Sequence, residues 1–281
     1  MRVVFEVAQK LNEEPSPCPL PSEWERVLKL PLDVSCLLMT TAIIQARMSS
    51  TRLPGKVLLD LAGEPMLARV VERTRRARTI ERVIVATTVE PEDEPIVALC
   101  HSRGWNVFRG SRDDVLDRYY QAAVAGGADP IVRITSDCPV IDPAIIDRVV
   151  ERLSGGDGGR VDYASNINPT RTFPRGLDVE VFTFAALSAA SREATDPSSR
   201  EHVTPFFYRH PERFHIELVE SERPETANHR WSVDTPEDYE LMRQIYGHFG
   251  NNEFGWLDVL KLLDQHPDWI ALNRHVAQKT H

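Results

Sequence analysis

Three basic residues lie close together in the segment "ARMSSTRLPGK", which covers residues 46–56. Arg47, Arg52 and Lys56 surround a serine and threonine cluster and a Pro-Gly turn, and the segment follows a short apolar run. An arginine can bind two phosphate oxygens at once, a lysine acts as a point charge, and Gly55 permits close approach of the backbone. Neither the G-x-x-x-x-G-K-S/T nor the G-x-G-x-x-G pattern is present. The residue types therefore leave open a polyphosphate-binding loop and a solvated basic loop.

Two aspartates are candidate ligands for a divalent cation. Asp137 ends the segment "IVRITSD", and Asp234 ends the segment "WSVD". Neither is needed to cap the helix that follows it, because Asp142 and Thr235 occupy the predicted N-cap positions. Carboxylate and phosphate oxygens are the ligands that Mg²⁺ prefers. The two aspartates could share one or two Mg²⁺ ions if their segments are neighbouring strands, a condition that spacing along the chain leaves open.

Strand-like and helix-like segments alternate about four times over residues 41–155. The predicted strands, "TAIIQA", "RVIVATT", "NVFRG" and "DPIVRITSD", are short and mostly apolar, and helical segments follow them. The last of these helices begins with Asp142 as N-cap and Pro143 at its first position. The pattern predicts an α/β fold with a mostly parallel sheet flanked by helices. In such folds ligands bind beyond the carboxyl ends of the strands, where residues 46–56 and Asp137 are expected.

Residues 161–229 blur this alternation and predict a small α+β excursion that could carry substrate specificity and dimer contacts. "RGLDVEVFTF" and "FHIELVES" are predicted strands, whereas "FAALSAASREA" and "SREHVTPFFYRHP" are predicted helices. "HRWSVD" is predicted to be a late strand. The helix "TPEDYELMRQIYGHF" follows, with Thr235 as N-cap, Pro236 at its first position and Asp238 completing a capping box.

Composition limits the classes of function. The chain has 281 residues, 33 basic and 42 acidic, and a formal net charge of -9. This balance argues against a general nucleic-acid binder but allows a local basic pocket for a small polyanion. No apolar run approaches the ~20 residues that cross a membrane, so no membrane association is expected. The four cysteines, Cys18, Cys36, Cys100 and Cys138, form no C-x-x-C pair, and reduced thiols in a cytoplasmic protein are expected.

The first 38 residues differ from the rest of the chain. Four prolines stand in the segment "EEPSPCPLPSEW", which predicts a loose N-terminal extension over residues 1–38, with Met39 as a candidate true start. A short helix near Trp24 to Leu30 is the alternative. Residues 39–281 are then predicted to form the main domain.

Several motifs together resemble a known family. "IIQARMSSTRLPGKVLLDLAGEPMLARVVER" resembles the opening of the CMP-sugar-acid synthetases, a cytidylyltransferase family, and especially the CMP-Kdo synthetases. "RVIVAT" and "VDTPEDYE" are similar to a later strand and to the V-D-T-P-E-D segment of that family. "GSRDDVLDRYY", "RGLDVEVF" and "EHVTPFFY" resemble the branch of spore coat polysaccharide biosynthesis protein F. The resemblance covers residues 41 to about 245, and Gln45, Ser136 and Cys138 depart from the CMP-Kdo pattern.

The resemblance implies a Rossmann-like nucleotidyltransferase fold and a homodimer. It implies Mg²⁺-dependent transfer of CMP from CTP to an acidic sugar, with release of pyrophosphate, for surface polysaccharide biosynthesis. Asp137 and Asp234 match the metal aspartates of the family. The matched nucleotide-binding loop contains Ala46, Arg47, Arg52 and Lys56. In the helix "DVLDRYY", either Asp117 or Arg118 could contact the nucleoside, because adjacent helical residues do not face the same side.

Polar residues near the predicted ends of elements in residues 165–205 are candidates for acceptor binding. These are Arg175, Asp178, Glu180, Arg200 and His202. Arg175 and Arg200 could bind a carboxylate through two hydrogen bonds, and His202 could act as a general base. Surface or dimer contacts are the alternative role of each residue.

Two other functions stay open at this point. A nucleotide-sugar-dependent glycosyltransferase would use a similar fold, but the D-x-D motif is missing because Cys138 and Pro139 follow Asp137. A non-catalytic nucleotide-binding relative is the second alternative. The intact basic loop and the presence of both aspartates argue against it.

Overall fold

The computed structural model describes residues 39–153 and 161–278, so the predicted extension at residues 1–38 lies outside the described part of the chain. Within that part, nine strands form a large sheet and a short hairpin. In chain order these are β1 (Met39–Gln45), β2 (Asp60–Leu61), β3 (Glu64–Pro65), β4 (Arg82–Thr88), β5 (Asn106–Gly110), β6 (Ala128–Thr135), β7 (Tyr163–Ser165), β8 (Glu180–Phe182) and β9 (Ile216–Leu218).

Ten α-helices accompany these strands in the described residues. They are α1 (Met66–Arg75), α2 (Glu94–Arg103), α3 (Val115–Gly126), α4 (Pro143–Leu153), α5 (Phe184–Glu193), α6 (Pro197–His202), α7 (Pro205–Tyr208), α8 (Pro236–Phe249), α9 (Trp256–Gln265) and α10 (Pro267–Ala271). Short 3₁₀ helices cover Lys56–Leu58, Pro91–Asp93 and Pro224–Asn228. None of the described helices is both long and apolar enough to span a bilayer.

The seven-stranded sheet has the order β5-β4-β1-β6-β8-β7-β9. Its first four strands are parallel, β8 runs antiparallel to β6 and β7, and β9 is parallel to β7. The chain moves outward from β1 to β4 and β5, then returns to the other side of β1 at β6. This reversal creates a switch point at the carboxyl ends of β1 and β6, where Gln45 lies opposite Thr135.

Helices cover both faces of the sheet because the strand side chains alternate between two apolar layers. Ala42 and Ile44 pack into the layer that contains α1, α4, α8 and α9, whereas Ile43 packs into the layer that contains α3, α5 and α7. The predicted α/β fold, with a mostly parallel sheet flanked by helices and a small α+β excursion, is confirmed. The predicted caps of α4 and α8 are confirmed as well: Asp142 accepts from the Ala144 N–H, and Thr235 and Asp238 form a capping box.

Two predictions about residues 161–234 are wrong. "SREHVTPFFYRHP" forms two helices, α6 and α7, because the chain turns at Val203 (φ 71°) and Pro205 restarts the helix at its first position. "HRWSVD" forms no strand, only an isolated β-bridge between Arg230 and Arg175. The bridge cannot extend into a ladder because the partner segment turns at Gly176 (φ 100°), directly beside it.

Candidate active site

The basic loop, residues 46–56, follows β1 at the switch point. Hydrogen bonds join its two ends to each other and to the segment after β4. The Gly55 N–H donates to the Met48 carbonyl at 3.0 Å, and Gly55 adopts a positive φ of 69° that favours glycine. The Met48 N–H donates to Asp93 Oδ1 at 2.6 Å. Asp93 is fully buried and also accepts hydrogen bonds from Thr88 at the end of β4. The loop that carries Arg47 and Arg52 is therefore held by the neighbouring strand.

Lys56 joins the two predicted aspartates at the end of this loop. Its Nζ lies 3.0 Å from Asp137 Oδ2 and 2.9 Å from Asp234 Oδ1, and it also donates to the Val233 carbonyl at 2.7 Å. An ammonium group has three N–H donors, so these contacts use all of them. Three residues separated by up to 178 positions in the chain thus meet at one point.

Asp137 is fixed in the turn after β6. The Thr135 hydroxyl donates to its Oδ1 at 2.6 Å, and its carbonyl accepts from the Val233 N–H at 2.8 Å. Burial alone would raise the pKa of Asp137, but the Lys56 ammonium and the Thr135 hydroxyl outweigh it and lower the pKa to about 2. Burial would likewise lower the pKa of Lys56, yet the two carboxylates raise it. Both groups are therefore charged near neutral pH.

Asp234 is held by two arginines in addition to Lys56. Its Oδ2 lies 2.7 Å from Arg230 Nη2 and 3.1 Å from Arg52 Nη2. Arg230 also donates to both oxygens of the fully buried Asp238, at 2.8 and 3.0 Å. Sequence reasoning missed Arg230; the only available signal is a basic residue four positions before a candidate ligand.

A cavity of about 700 Å³ opens at the switch point, and we call it the front cavity. Its lining includes Gln45, Ala46, Arg47, Arg52, Lys56, Arg112, Arg118, Ser136, Asp137, Arg200, His202 and Asp234. Sequence reasoning did not assign a role to Gln45, Arg112 or Ser136. Gln45 ends β1, Ser136 follows β6 and Arg112 lies just after β5. Their positions at strand ends were the signal that the sequence offered.

Of the two adjacent nucleoside candidates, only Arg118 lines the front cavity. Arg118 is 2% exposed, donates through Nη1 to the Ser111 carbonyl at 2.6 Å, and has a buried Nε without a partner among the described residues. Asp117 instead accepts a hydrogen bond from Gln121 on α3. The two adjacent residues on α3 therefore face different surroundings, as expected for neighbours on a helix.

The five acceptor candidates do not meet at one place. Arg200 and His202 line the front cavity, and Arg200 forms an ion pair with Asp114. Asp178 pairs with both Nη atoms of Arg171, at 2.6 and 2.8 Å. Glu180 is buried against Arg133 and accepts from the Tyr163 hydroxyl. Arg175 lines a second cavity, of about 400 Å³.

The carboxylates of Asp137 and Asp234 could bind a hard cation such as Mg²⁺ only if a bound ligand or water supplies the other oxygen ligands. Across residues 39–153 and 161–278, no group of three or more His, Cys, Asp or Glu side chains is arranged to hold a metal ion. Asp137 and Asp234 offer two carboxylates on either side of the Lys56 ammonium. Carboxylate oxygens fit Mg²⁺, which commonly takes its remaining ligands from water and substrate phosphates. Cys138 is buried beside Asp137, and burial raises the pKa of its thiol.

The chain has a mostly parallel sheet, and its switch point presents a basic loop, a lysine and two carboxylates to one cavity. This arrangement places the chain among the Rossmann-like nucleotidyltransferases. The comparison with known proteins narrows the class further. The chain belongs to the cytidylyltransferase family, whose model matches residues 41–262. We therefore conclude that the chain is a nucleotidyltransferase enzyme. The glycosyltransferase and the non-catalytic relative, which the sequence alone left open, are set aside.

Two relatives match most of the chain, and a third matches less than half of it. An uncharacterized protein of Methanocaldococcus jannaschii is 40% identical over 85% of this chain and 96% of its own length. The spore coat polysaccharide biosynthesis protein SpsF of Bacillus subtilis is 33% identical over 80% of this chain and 94% of its own length. The 3-deoxy-manno-octulosonate cytidylyltransferase of Geobacter sulfurreducens is 44% identical, over 41% of this chain and 45% of its own.

One solved structure is similar over nearly the whole described part of the chain. A cytidylyltransferase from Leptospira borgpetersenii superposes with a TM-score of 0.79 at 34% identity, covering 87% of this chain and 100% of its own. This likeness supports both the fold and the family.

Proposed function

We propose that this protein transfers CMP from CTP to an acidic sugar or a related acid, with release of pyrophosphate and dependence on Mg²⁺. We further propose that the product serves surface polysaccharide biosynthesis. The observation that carries the proposal is the meeting of Lys56 with Asp137 and Asp234 at the mouth of a basic cavity. The names of two relatives, one a cytidylyltransferase and one a polysaccharide biosynthesis protein, support the substrate classes.

The front cavity has the size and charge expected of a nucleotide site. Its volume of about 700 Å³ falls within the range of ligand pockets. Arg47, Arg52 and Arg112 line it together with the backbone of the basic loop. In the proposed complex the arginines bind the triphosphate and stabilise the charge that develops on the departing pyrophosphate. Arg118, with its unpaired buried Nε, is proposed to donate a hydrogen bond to the nucleoside.

The reaction needs positioning more than covalent help from the protein. An acceptor oxygen attacks the α-phosphorus of CTP, a new phosphorus–oxygen bond forms, and the bond to pyrophosphate breaks. Asp137 and Asp234 would hold Mg²⁺, which when bound polarises the phosphate and neutralises its charge. Arg52 and Arg230 orient the Asp234 carboxylate, and Thr135 orients that of Asp137.

Lys56 links nucleotide binding to metal binding in this proposal. All three of its donors are used within the protein, so it can donate to a phosphate oxygen only after it gives up one of those contacts. The two carboxylates that it could release are the proposed metal ligands. We therefore expect CTP and the divalent ion to bind together more readily than either binds alone.

The acceptor is proposed to approach from the side of α6, where Arg200 and His202 line the front cavity. The homodimer implied by the resemblance and the cytoplasmic location expected from the cysteines stay predictions.

A screen for pyrophosphate release tests the proposal. The full-length protein is incubated with CTP, Mg²⁺ and a panel of acidic sugars, and parallel reactions omit the acceptor, omit Mg²⁺ or replace CTP by other triphosphates. The proposal expects pyrophosphate only when CTP, Mg²⁺ and an acidic acceptor are all present. Release that needs no divalent ion, or that occurs equally with neutral sugars, contradicts it.

A further inference from the structure

A segment near the C-terminal end of the chain reaches the active site. It covers residues 272–278, follows α10, and lies beyond residues 41–262, which the family model matches. We call it the C-terminal segment. Its residue Gln278 lines both the front cavity and the second cavity, so the two cavities adjoin there. The role of this segment therefore does not follow from membership of the family.

Two side chains of the C-terminal segment bind Arg230. The amide nitrogen of Asn273, a residue that is 4% exposed, donates to the Arg230 carbonyl at 2.9 Å and to Asp238 Oδ1 at 2.8 Å. The amide oxygen of Gln278 accepts a hydrogen bond from Arg230 Nη1. The C-terminal segment therefore contacts both the main chain and the guanidinium of Arg230.

The guanidinium of Arg230 has three partners. Its Nε and Nη2 donate to the two carboxylate oxygens of Asp238, at 2.8 and 3.0 Å. Its Nη2 also donates to Asp234 Oδ2 at 2.7 Å, and its Nη1 donates to Gln278. A guanidinium is planar and rigid, so partners on different sides fix its plane. Without Gln278, the group can tilt about the edge that Asp238 holds, and this tilt turns the second Nη2–H away from Asp234.

Asp238 connects the main chain of Asp234 to the same network. Its Oδ2 accepts hydrogen bonds from the backbone N–H groups of Asp234 and Thr235, at 3.0 and 3.1 Å. The Asn273 amide binds the other oxygen of this carboxylate. One residue therefore links each part of Asp234 to the C-terminal segment: Asp238 links the main chain, and Arg230 links the side chain.

We propose that the C-terminal segment completes the active site, with Gln278 and Asn273 as positioning residues that fix the Asp234 carboxylate for the divalent cation. This inference rests on the proposed function, in which Asp234 is a metal ligand. Hydrogen-bond partners behind a metal ligand orient it, and their loss typically lowers metal affinity or activity about 10–100-fold. Gln278 is exposed, so its substitution tests positioning without opening the core.

Binding of Mn²⁺ to the full-length protein in the presence of CTP tests the proposal. Electron paramagnetic resonance of the free ion measures the affinity. Gln278→Ala should weaken Mn²⁺ binding about tenfold, whereas Gln278→Glu, which keeps an acceptor for Arg230, should recover most of the affinity. Gln265→Ala, an exposed substitution at the end of α9, is the matched control and should bind Mn²⁺ as the wild type does. Wild-type affinity in Gln278→Ala, or equal losses in both Gln278 variants, overturns the proposal.

Kinetics at saturating Mg²⁺ distinguish positioning from direct contact with the nucleotide. Gln278 lines the front cavity, so a contact with CTP is the alternative role. Positioning predicts that Gln278→Ala lowers kcat about tenfold and changes the KM for CTP less than about twofold, because the basic loop is intact. A raised KM with an unchanged kcat would assign Gln278 to nucleotide binding and overturn the proposal.

A double-mutant cycle tests the contact between Gln278 and Arg230 without any ligand. Urea unfolding is measured for the wild type, Gln278→Ala, Arg230→Lys and the double variant. A lysine ammonium lacks the planar fork that binds three partners at once. Gln278→Ala should therefore change the unfolding equilibrium constant about threefold more in the wild type than in Arg230→Lys. Equal changes in the two backgrounds overturn the proposal.

Asp234→Asn separates a failure of this inference from a failure of the proposed function. If Asp234→Asn binds Mn²⁺ with CTP as the wild type does, Asp234 is not a metal ligand, and both the proposed metal site and its positioning are overturned. If Asp234→Asn loses the ion and Gln278→Ala retains it, the metal site stands and only the role of the C-terminal segment is overturned. Loss in both variants, together with coupling in the cycle, supports the proposal.

Discussion

The ammonium of Lys56 lies 3.0 Å from Asp137 Oδ2, although 81 positions separate the two residues in the chain. The contact forms because the basic loop follows β1 and Asp137 follows β6, and these two strands are neighbours in the sheet. The proposed chemistry depends on this meeting of strand ends. Substitutions of the residues that meet here therefore test the proposed chemistry.

Removing either carboxylate should stop turnover without unfolding the protein. Asp137→Asn and Asp234→Asn keep the shape of the side chain but remove the charge, and we expect each to lower kcat by about 10²–10³-fold or more. Asp117→Asn, an aspartate outside the front cavity, is the control and should keep wild-type turnover. Pyrophosphate release measures the effect, and circular dichroism verifies the fold. Wild-type turnover in either test variant would mean that the metal assignment is wrong.

Lys56→Met should have opposite effects on metal binding and on catalysis. Without the ammonium, the two carboxylates repel each other and attract a free cation more strongly, so Mn²⁺ affinity in the absence of CTP should rise about tenfold. Turnover should fall by about 10²–10³-fold, because the proposed phosphate contact is lost.

Mn²⁺ binding is measured by electron paramagnetic resonance of the free ion, and Lys261→Met on α9 serves as the control. An unchanged or weaker Mn²⁺ affinity in Lys56→Met would show that Lys56 does not occupy the place of the ion.

Arg230→Gln should be strongly destabilising. The Arg230 side chain is 7% exposed and its partner Asp238 is fully buried, so the substitution leaves a buried carboxylate without its charged partner. Breaking a buried pair in this way costs about 3–5 kcal/mol of unfolding free energy. Arg243→Gln, which removes an exposed pair with Glu240, should cost less than about 1 kcal/mol. Urea unfolding followed by fluorescence compares the two, and equal losses would contradict the burial argument.

The stability of the protein should depend on Asp137 in acid. The pKa of Asp137 in the folded protein is lowered to about 2, below its value in the unfolded chain, so its stabilisation is complete above the unfolded pKa and is lost as the pH falls toward 2. Between pH 6 and pH 3 the wild type should lose about 1 kcal/mol more unfolding free energy than Asp137→Asn. Urea titrations of both proteins at each pH measure the difference. Parallel curves would show that the Asp137 carboxyl has an ordinary pKa.

Much of the fold follows from local sequence signals. The strands β1, β4, β5 and β6 are short apolar runs, and the helices between them have predictable ends, so the parallel half of the sheet could be predicted. "HRWSVD" was misassigned because β-pairing depends on the partner segment, which turns away at Gly176. A strand-like composition alone does not reveal that turn.

The site was predictable where residue type and position in the parallel sheet both carried information. Arg52, Lys56, Asp137 and Asp234 are predicted from residue types that suit phosphate and metal chemistry, and the structure brings these four side chains together. Arg230 was missed because its role depends on burial beside Asp238, a tertiary contact. The acceptor candidates spread over separate places because polar residues near element ends also form internal pairs, as Asp178 does with Arg171.

In the proposed reaction the cytidylyl group, and not a phosphate, moves to the acceptor. The most direct test follows the label from CTP carrying ³²P at either the α- or the γ-phosphate, with Mg²⁺ and an acceptor that supports pyrophosphate release. We expect the α-label in the acceptor product and the γ-label in pyrophosphate. A γ-label found in the acceptor or in inorganic phosphate, with the α-label retained in CDP, would contradict it.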